Sequence, residues 1–151
     1  MPEPGFETFR HYGIAFRYPA DWEITQELGG DCREISAVSP QTSFISVHLL
    51  YDQPAPEKAV ASAVEAFEET YDEIDVYPAV DRLCERPTAA RDVEFVCLEL
   101  INYAWIRSFE TDAFTVLVLY QTTDVDRERD RALFDEFLAS LTIDDDTKAD
   151  E

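Results

Sequence analysis

The chain has 151 residues, 46% of them hydrophobic and 13% aromatic, with 33 acidic residues against 12 basic ones and a formal net charge of −21. A domain of that length buries roughly 68–70% of the surface its unfolded chain exposes, so a core can form without disulfide or metal staples. The charge argues against nucleic-acid partners and against anionic membrane surfaces, and no apolar run approaches the roughly 18 residues of a membrane helix, so no membrane insertion is expected.

Taken in chain order, residues 7–28 read as a hairpin region. Thr8 to Tyr12 leads to a turn at Gly13, and Ile14-Ala15-Phe16-Arg17-Tyr18 alternates with period two. Pro19-Ala20-Asp21-Trp22 makes the next turn, from which Glu23 to Leu28 returns as a strand ended by Gly29-Gly30. A second pair of strands, 32–39 and 43–51, is joined by Ser39-Pro40-Gln41-Thr42. The first helix is expected from Pro56 to Tyr71, with Val60, Ala63, Val64, Phe67 and Tyr71 as its apolar stripe. Ile74 to Arg86 reads as an edge strand, because Pro78 cannot donate to a central ladder.

The strongest strand pattern runs from Ala90 to Thr122, with a turn at Glu110-Thr111-Asp112. Apolar residues on both strand faces predict a sheet centre covered on both sides. A last helix is expected over Val125 to Ser140, capped by Thr123 or Asp124, with Leu133, Phe134, Phe137, Leu138 and Leu141 buried. Residues 144–151 are acidic and are expected to form a disordered tail on a single domain of residues 1–143. Strands joined by short turns pair antiparallel, so the expected fold is α+β, a central antiparallel sheet sandwiched by helices.

Tyr12-Gly13-Ile14-Ala15-Phe16-Arg17-Tyr18-Pro19-Ala20-Asp21-Trp22 resembles the opening signature of PsbP-like domains: a glycine, an alternating aromatic strand, then Pro-x-x-Trp. The long meander from Ala89 to Thr122, followed by a helix ending in Phe137-Leu138-Ala139-Ser140-Leu141, is similar to that family too. The resemblance implies the same sheet-and-helix architecture. It also implies protein binding or assembly rather than catalysis, since the family includes a photosystem II extrinsic subunit, a nuclear Ran-binding protein and bacterial proteins of unassigned role, some of them secretion chaperones. No functional residue of the family is carried over, and the leader of its lumenal members is not expected.

Catalytic and metal signatures are sparse. His11 and His48 with scattered Cys32, Cys84 and Cys97 do not make a zinc ligand set, and no cofactor is expected. The acids of Asp124 to Asp130 alternate as in a calcium loop, but Arg129 stands where that loop needs glycine. There is no nucleophile elbow and no Gly-rich phosphate loop. Three unpaired-looking cysteines and a start without basic or apolar regions point to a reducing, cytoplasmic setting. The acidity fits either a high-salt cytoplasm, where molar salt shortens the Debye length to about 3 Å, or an ordinary acidic protein.

Tyr103, Trp105 and Phe109 lie on one strand face. They are the candidates for a protein-binding surface, since aromatics are enriched at hot spots. The competing and favoured assignment is core beneath a helix, because an exposed aromatic patch is costly for a monomer. The function expected is thus a non-catalytic protein-binding or assembly domain whose partner is another protein. The alternatives are a small-molecule or lipid-tail binder with a pocket between sheet and helix, and an enzyme of unrecognised type.

Overall fold

A computed structural model describes residues 5–143. The tail expected at 144–151 lies outside the described residues. Strands β1 (Phe6–His11) and β2 (Ile14–Pro19) form the first hairpin. Its turn, Tyr12-Gly13, has φ of 61° and 86°, the left-handed pair that a two-residue hairpin needs.

The chain then leaves this hairpin. β3 (Glu23–Gly29) pairs with β4 (Cys32–Val38), not with β2. The expected return onto the hairpin is corrected: Glu23 to Gly29 pair residue for residue with Val38 to Cys32. The free edge of β2 is taken from the far end of the chain, where β10 (Thr142–Ile143) pairs with Ala15 and Ile14. On the same edge the Arg17 backbone N–H donates to Ser140 Oγ at 2.8 Å, and its guanidinium meets Glu136 at 2.7 Å. Trp22 is buried in the core and carries the chain across to the second sheet.

That second sheet has seven antiparallel strands in the order β3-β4-β5-β9-β8-β7-β6. Its other members are β5 (Phe44–Leu50), β6 (Ile74–Leu83), β7 (Arg86–Cys97), β8 (Leu100–Glu110) and β9 (Thr115–Thr123). Pro78 stands in β6, at the sheet's edge as its missing N–H requires. The β6–β7 and β7–β8 turns are Cys84-Glu85 and Leu98-Glu99, all four with φ between 53° and 64° and none of them glycine.

Pairing fixes the two faces, because side chains alternate along each strand. Trp105 pairs with Asp92 and Tyr120, Tyr120 with Ile45, and Ile45 with Ala37, so these share one face. Ile106 and Leu119 lie on the other. Helix α1 (Pro56–Thr70) covers that second face, setting Val60 on Val93, Phe95, Ala104 and Ile106, with Phe67 and Tyr71 packed at the margin. The first face is covered by Phe9 and Phe16 of the small sheet together with Phe134, Phe137 and Leu141 at the end of α2 (Arg127–Ser140), over Ile35, Val47 and Val118.

A sheet sandwiched by helices is therefore corrected. One face carries a helix, and the other carries a three-stranded sheet with a helix beside it. Helix α1 packs over β6 to β9, with Val76, Val93, Ile106 and Leu119 of those strands in its cluster, and it does not reach the rest of the seven-stranded sheet. Where α1 does not reach, over β4 and β5, its face carries Glu34, Ser36, Ser46 and His48. On the opposite face the small sheet supplies the missing cover. Beside it, between α2 and the β6–β8 side of the sheet, a cleft remains.

Candidate functional site

The cleft lies between α2 and the β6–β8 side of the large sheet and holds about 370 Å³. Its floor is aromatic: Tyr103, Trp105 and Tyr120 come from the sheet and Phe134 from α2. Phe134 stacks on Tyr120 with centroids 3.9 Å apart and meets Trp105 edge-on at 4.8 Å. Tyr77 of the edge strand closes one side. The neighbouring carboxylate of Glu94, then its own slight desolvation, then Asp75 push the Tyr77 phenol above its ordinary value.

Beneath the cleft lies Arg107, 4% exposed. Its guanidinium meets Asp81 at 3.0 Å and Asp92 at 2.9 Å and also donates to the Arg91 carbonyl at 3.1 Å. A buried cation is tolerable only when its donors are taken up in this way. On the helical wall stand Arg127 and Arg131, one turn apart and both exposed. Arg127 lies over the Tyr103 ring at 4.1 Å. On the adjoining β7–β8 hairpin Val96, Ile101 and Leu98 are exposed, Leu98 at 90%.

A knot of buried polar groups fixes the start of α2. The expected cap at Thr123 or Asp124 is corrected: the helix begins at Arg127, and the capping residue is Asp126. Its side chain does not cap. It turns inward and accepts the Thr42 backbone N–H at 3.1 Å and the Thr42 hydroxyl. Asp130 accepts from the Ser43 hydroxyl, and Arg129 reaches Asp126 at 3.0 Å and Asp130 at 3.1 Å. Thr122 and Thr123 complete the knot through Ser43 and Thr42. The Tyr120 hydroxyl is buried beside Thr122 and Ser43 without a well-formed hydrogen bond, and burial pushes its phenol upward.

No family model matches the chain, and no curated protein sequence matches it. Solved structures do. The solution structure of cyanobacterial PsbP (CyanoP) from Synechocystis superposes with a TM-score of 0.67 over 94% of each chain at 9% identity. The crystal structure of the Ran-binding protein Mog1p of Saccharomyces cerevisiae superposes at 0.61, over 96% of this chain and 98% of that one, at 12% identity. The fold is the PsbP-like fold. LpqN of Mycobacterium tuberculosis, involved in cell envelope biogenesis, superposes at 0.52 over 95% of this chain and 92% of its own, at 9% identity. Identities this low establish the shared fold and nothing about a shared activity.

In this PsbP-like domain the three aromatic candidates separate. Tyr103 and Trp105 line the cleft, and Trp105 also packs against Phe134. Phe109 is completely buried and forms no surface; it is core, because the small sheet covers that end of β8. Tyr77, Arg127 and Arg131 were not foreseen. One compositional signal for them exists: three of ten arginines fall at 127, 129 and 131 in a chain otherwise dominated by acids.

The histidines stay apart. His11 sits beside Phe9 and Tyr12 at the hairpin end. His48 Nε2 lies 3.1 Å from Ser46 Oγ, and Nδ1 lies 3.8 Å from Glu34. That order imitates a Ser-His-Glu triad, but two features oppose hydrolysis. Ser46 is 2% exposed. Its strand is paired on both sides, so the ladders engage the backbone donors an oxyanion would need. Among the described residues no group of three or more His, Cys, Asp or Glu side chains is placed to hold a metal, and no helix is long and apolar enough to cross a membrane.

Proposed function

We propose that the chain is a non-catalytic protein-binding or assembly domain that engages its partner through the cleft between α2 and β6–β8. The observation that carries this is the aromatic lining of the cleft by Tyr77, Tyr103 and Trp105, with Val96, Leu98 and Ile101 exposed on the adjoining β7–β8 hairpin. Aromatic anchors beside exposed aliphatics and arginine have the composition of an interface core. The Ran-binding activity named for Mog1p supports protein binding by a domain of this shape. The acidic surface fits a reducing cytoplasm of high salt, which a melting series in KCl tests: stability should keep rising toward molar salt.

A photo-crosslinking amino acid at Tyr103 tests the site. It should give a discrete, reproducible adduct in the source cells, whereas the same group at Leu28, exposed on the far edge strand, should give none. Equal labelling from both positions would remove the cleft from the assignment. A second function, small-molecule binding, is favoured by one observation: a 370 Å³ volume between sheet and helix lies within the range of ligand pockets. A small compound that raises the melting temperature and quenches Trp105 would promote it.

A further inference from the structure

We propose that Arg127 and Arg131 form a receptor for a carboxylate, so that the partner segment entering the cleft presents an Asp or Glu beside an aromatic or aliphatic side chain. This deepens the protein-binding function proposed above and rests on it. With 33 acidic residues in the chain, a carboxylate lining a groove carries no information, and an arginine without one does. Arg17, Arg91, Arg107 and Arg129 are all ion-paired. Arg127 and Arg131 have no carboxylate partner among the described residues, and both line the same cleft.

Their placement is suited to an anion. Residues four apart on a helix stand one above the other, with about 5–6 Å between Cβ atoms, so both can reach one carboxylate. Arg127 lies over the Tyr103 ring at 4.1 Å. A guanidinium stacked in this way spends its face and keeps its edge of N–H donors, the edge that takes a carboxylate in a two-pronged grip. The stack also orders the long side chain in advance, which lowers the entropy lost on binding.

The surroundings define the rest of the ligand. Asp92, on the opposite wall, is paired at 2.9 Å with Arg107, which it shares with Asp81. Glu94, the cross-strand partner of Tyr103, and Asp135, one turn on from Arg131, also line the cleft, so an anion is held there only if the guanidinium groups grip it directly. Trp105 and Phe134 line the same cleft and offer an apolar seat for the adjoining side chain. At low salt a second copy of this chain is a poor occupant, because two molecules of charge −21 repel.

The test is selection from a displayed random-peptide library, run in parallel on the full chain and on its Arg127→Gln/Arg131→Gln variant. Both side chains are exposed and unpaired, so the variant should melt as the parent does. The proposal expects enriched peptides to carry Asp or Glu next to an aromatic or aliphatic residue. Synthetic copies should bind the variant about tenfold or more weakly, the loss of roughly one charge-assisted contact, and Arg→Lys at both positions should recover part of that loss. Phenyl phosphate serves as a competitor. Displacement of the peptides only at much higher concentration than a matched carboxylate peptide supports a protein segment, and tighter binding of the phosphate overturns it. Enriched peptides that are basic or neutral, or that bind both proteins equally, overturn the carboxylate receptor while leaving the cleft as a protein-binding site. No enrichment on either protein overturns both.

Discussion

Arg107 lies flat against Trp105, its guanidinium carbon 4.0 Å from the centre of the indole ring. The two are neighbours on one face of β8, and Trp105 is part of the cleft floor. Arg107 is buried, and Asp81 and Asp92 hold its charge from the two outer strands. The contact therefore links the edge strand β6 to the sheet centre. Truncation by Arg107→Ala should cost about 3 kcal/mol in urea unfolding, through lost packing and two abandoned carboxylates discounted for their partial exposure. Arg107→Lys should recover only part of this, since an ammonium cannot stack on Trp105 and reach both acids together. Full recovery with lysine would mean that charge alone matters there.

Asp130 is 2% exposed, and its carboxylate joins Ser43 of the β4–β5 connection to Arg129 of α2. Asp130→Ala should destabilise the domain by about 1.5–3 kcal/mol, because it strips the buried Ser43 hydroxyl of its carboxylate acceptor and removes one of the two carboxylates that hold Arg129. Ser43→Ala alone should cost less, about 1 kcal/mol, as the carboxylate keeps Arg129. Hydrogen exchange should show the first turn of α2 loosened in Asp130→Ala.

The β7–β8 turn is strained by its residues. Leu98 and Glu99 have φ of 53° and 64°, a conformation that costs L side chains about 1 kcal/mol or more each. Asn-Gly is the preferred pair for such a turn. The double change Leu98→Asn/Glu99→Gly should raise stability by about 1–2 kcal/mol, read as a higher melting temperature. If the exposed Leu98 contacts the partner, the same change weakens binding while strengthening the fold, and crosslinking yield from Tyr103 reports that split.

Burial holds the His48 imidazole below its ordinary value of 6.5, against an opposing pull from Glu34. The folded state therefore resists a proton that the unfolded chain accepts. Stability should rise with pH through this window and fall as pH drops below about 6.5, until His48 protonates in the folded state too. His48→Gln should flatten the stability profile between about pH 7 and 5. An unchanged profile would show that the acid sensitivity lies with the carboxylates instead.

The elements themselves were legible in the sequence, because each is carried by a local pattern. Alternation in Ile14 to Tyr18 and from Ala90 to Thr122 defined strands, and the stripe Val60, Val64, Phe67, Tyr71 defined α1. Pro78 alone assigned β6 to an edge, since a missing N–H is a property of one residue. The Tyr12 to Trp22 signature pointed to the PsbP-like fold that superposition with CyanoP and Mog1p bears out.

Tertiary structure decided how those elements meet. Thr142 and Ile143 reach Ala15 and Ile14 of β2 from the other end of the chain, while β3 pairs with β4, and no local pattern records such a long-range contact. Trp105 and Phe109 look alike in sequence, on one face of one strand. They part only because the small sheet covers Phe109, while a cleft remains beside Trp105, between α2 and the sheet. The same holds for Arg127, Arg129 and Arg131. Sequence marks them as a cluster of cations in an acidic chain. Arg129 meets Asp126 and Asp130, its own neighbours along the chain, but only the packing of α2 on the sheet sets Arg127 and Arg131 at an aromatic cleft.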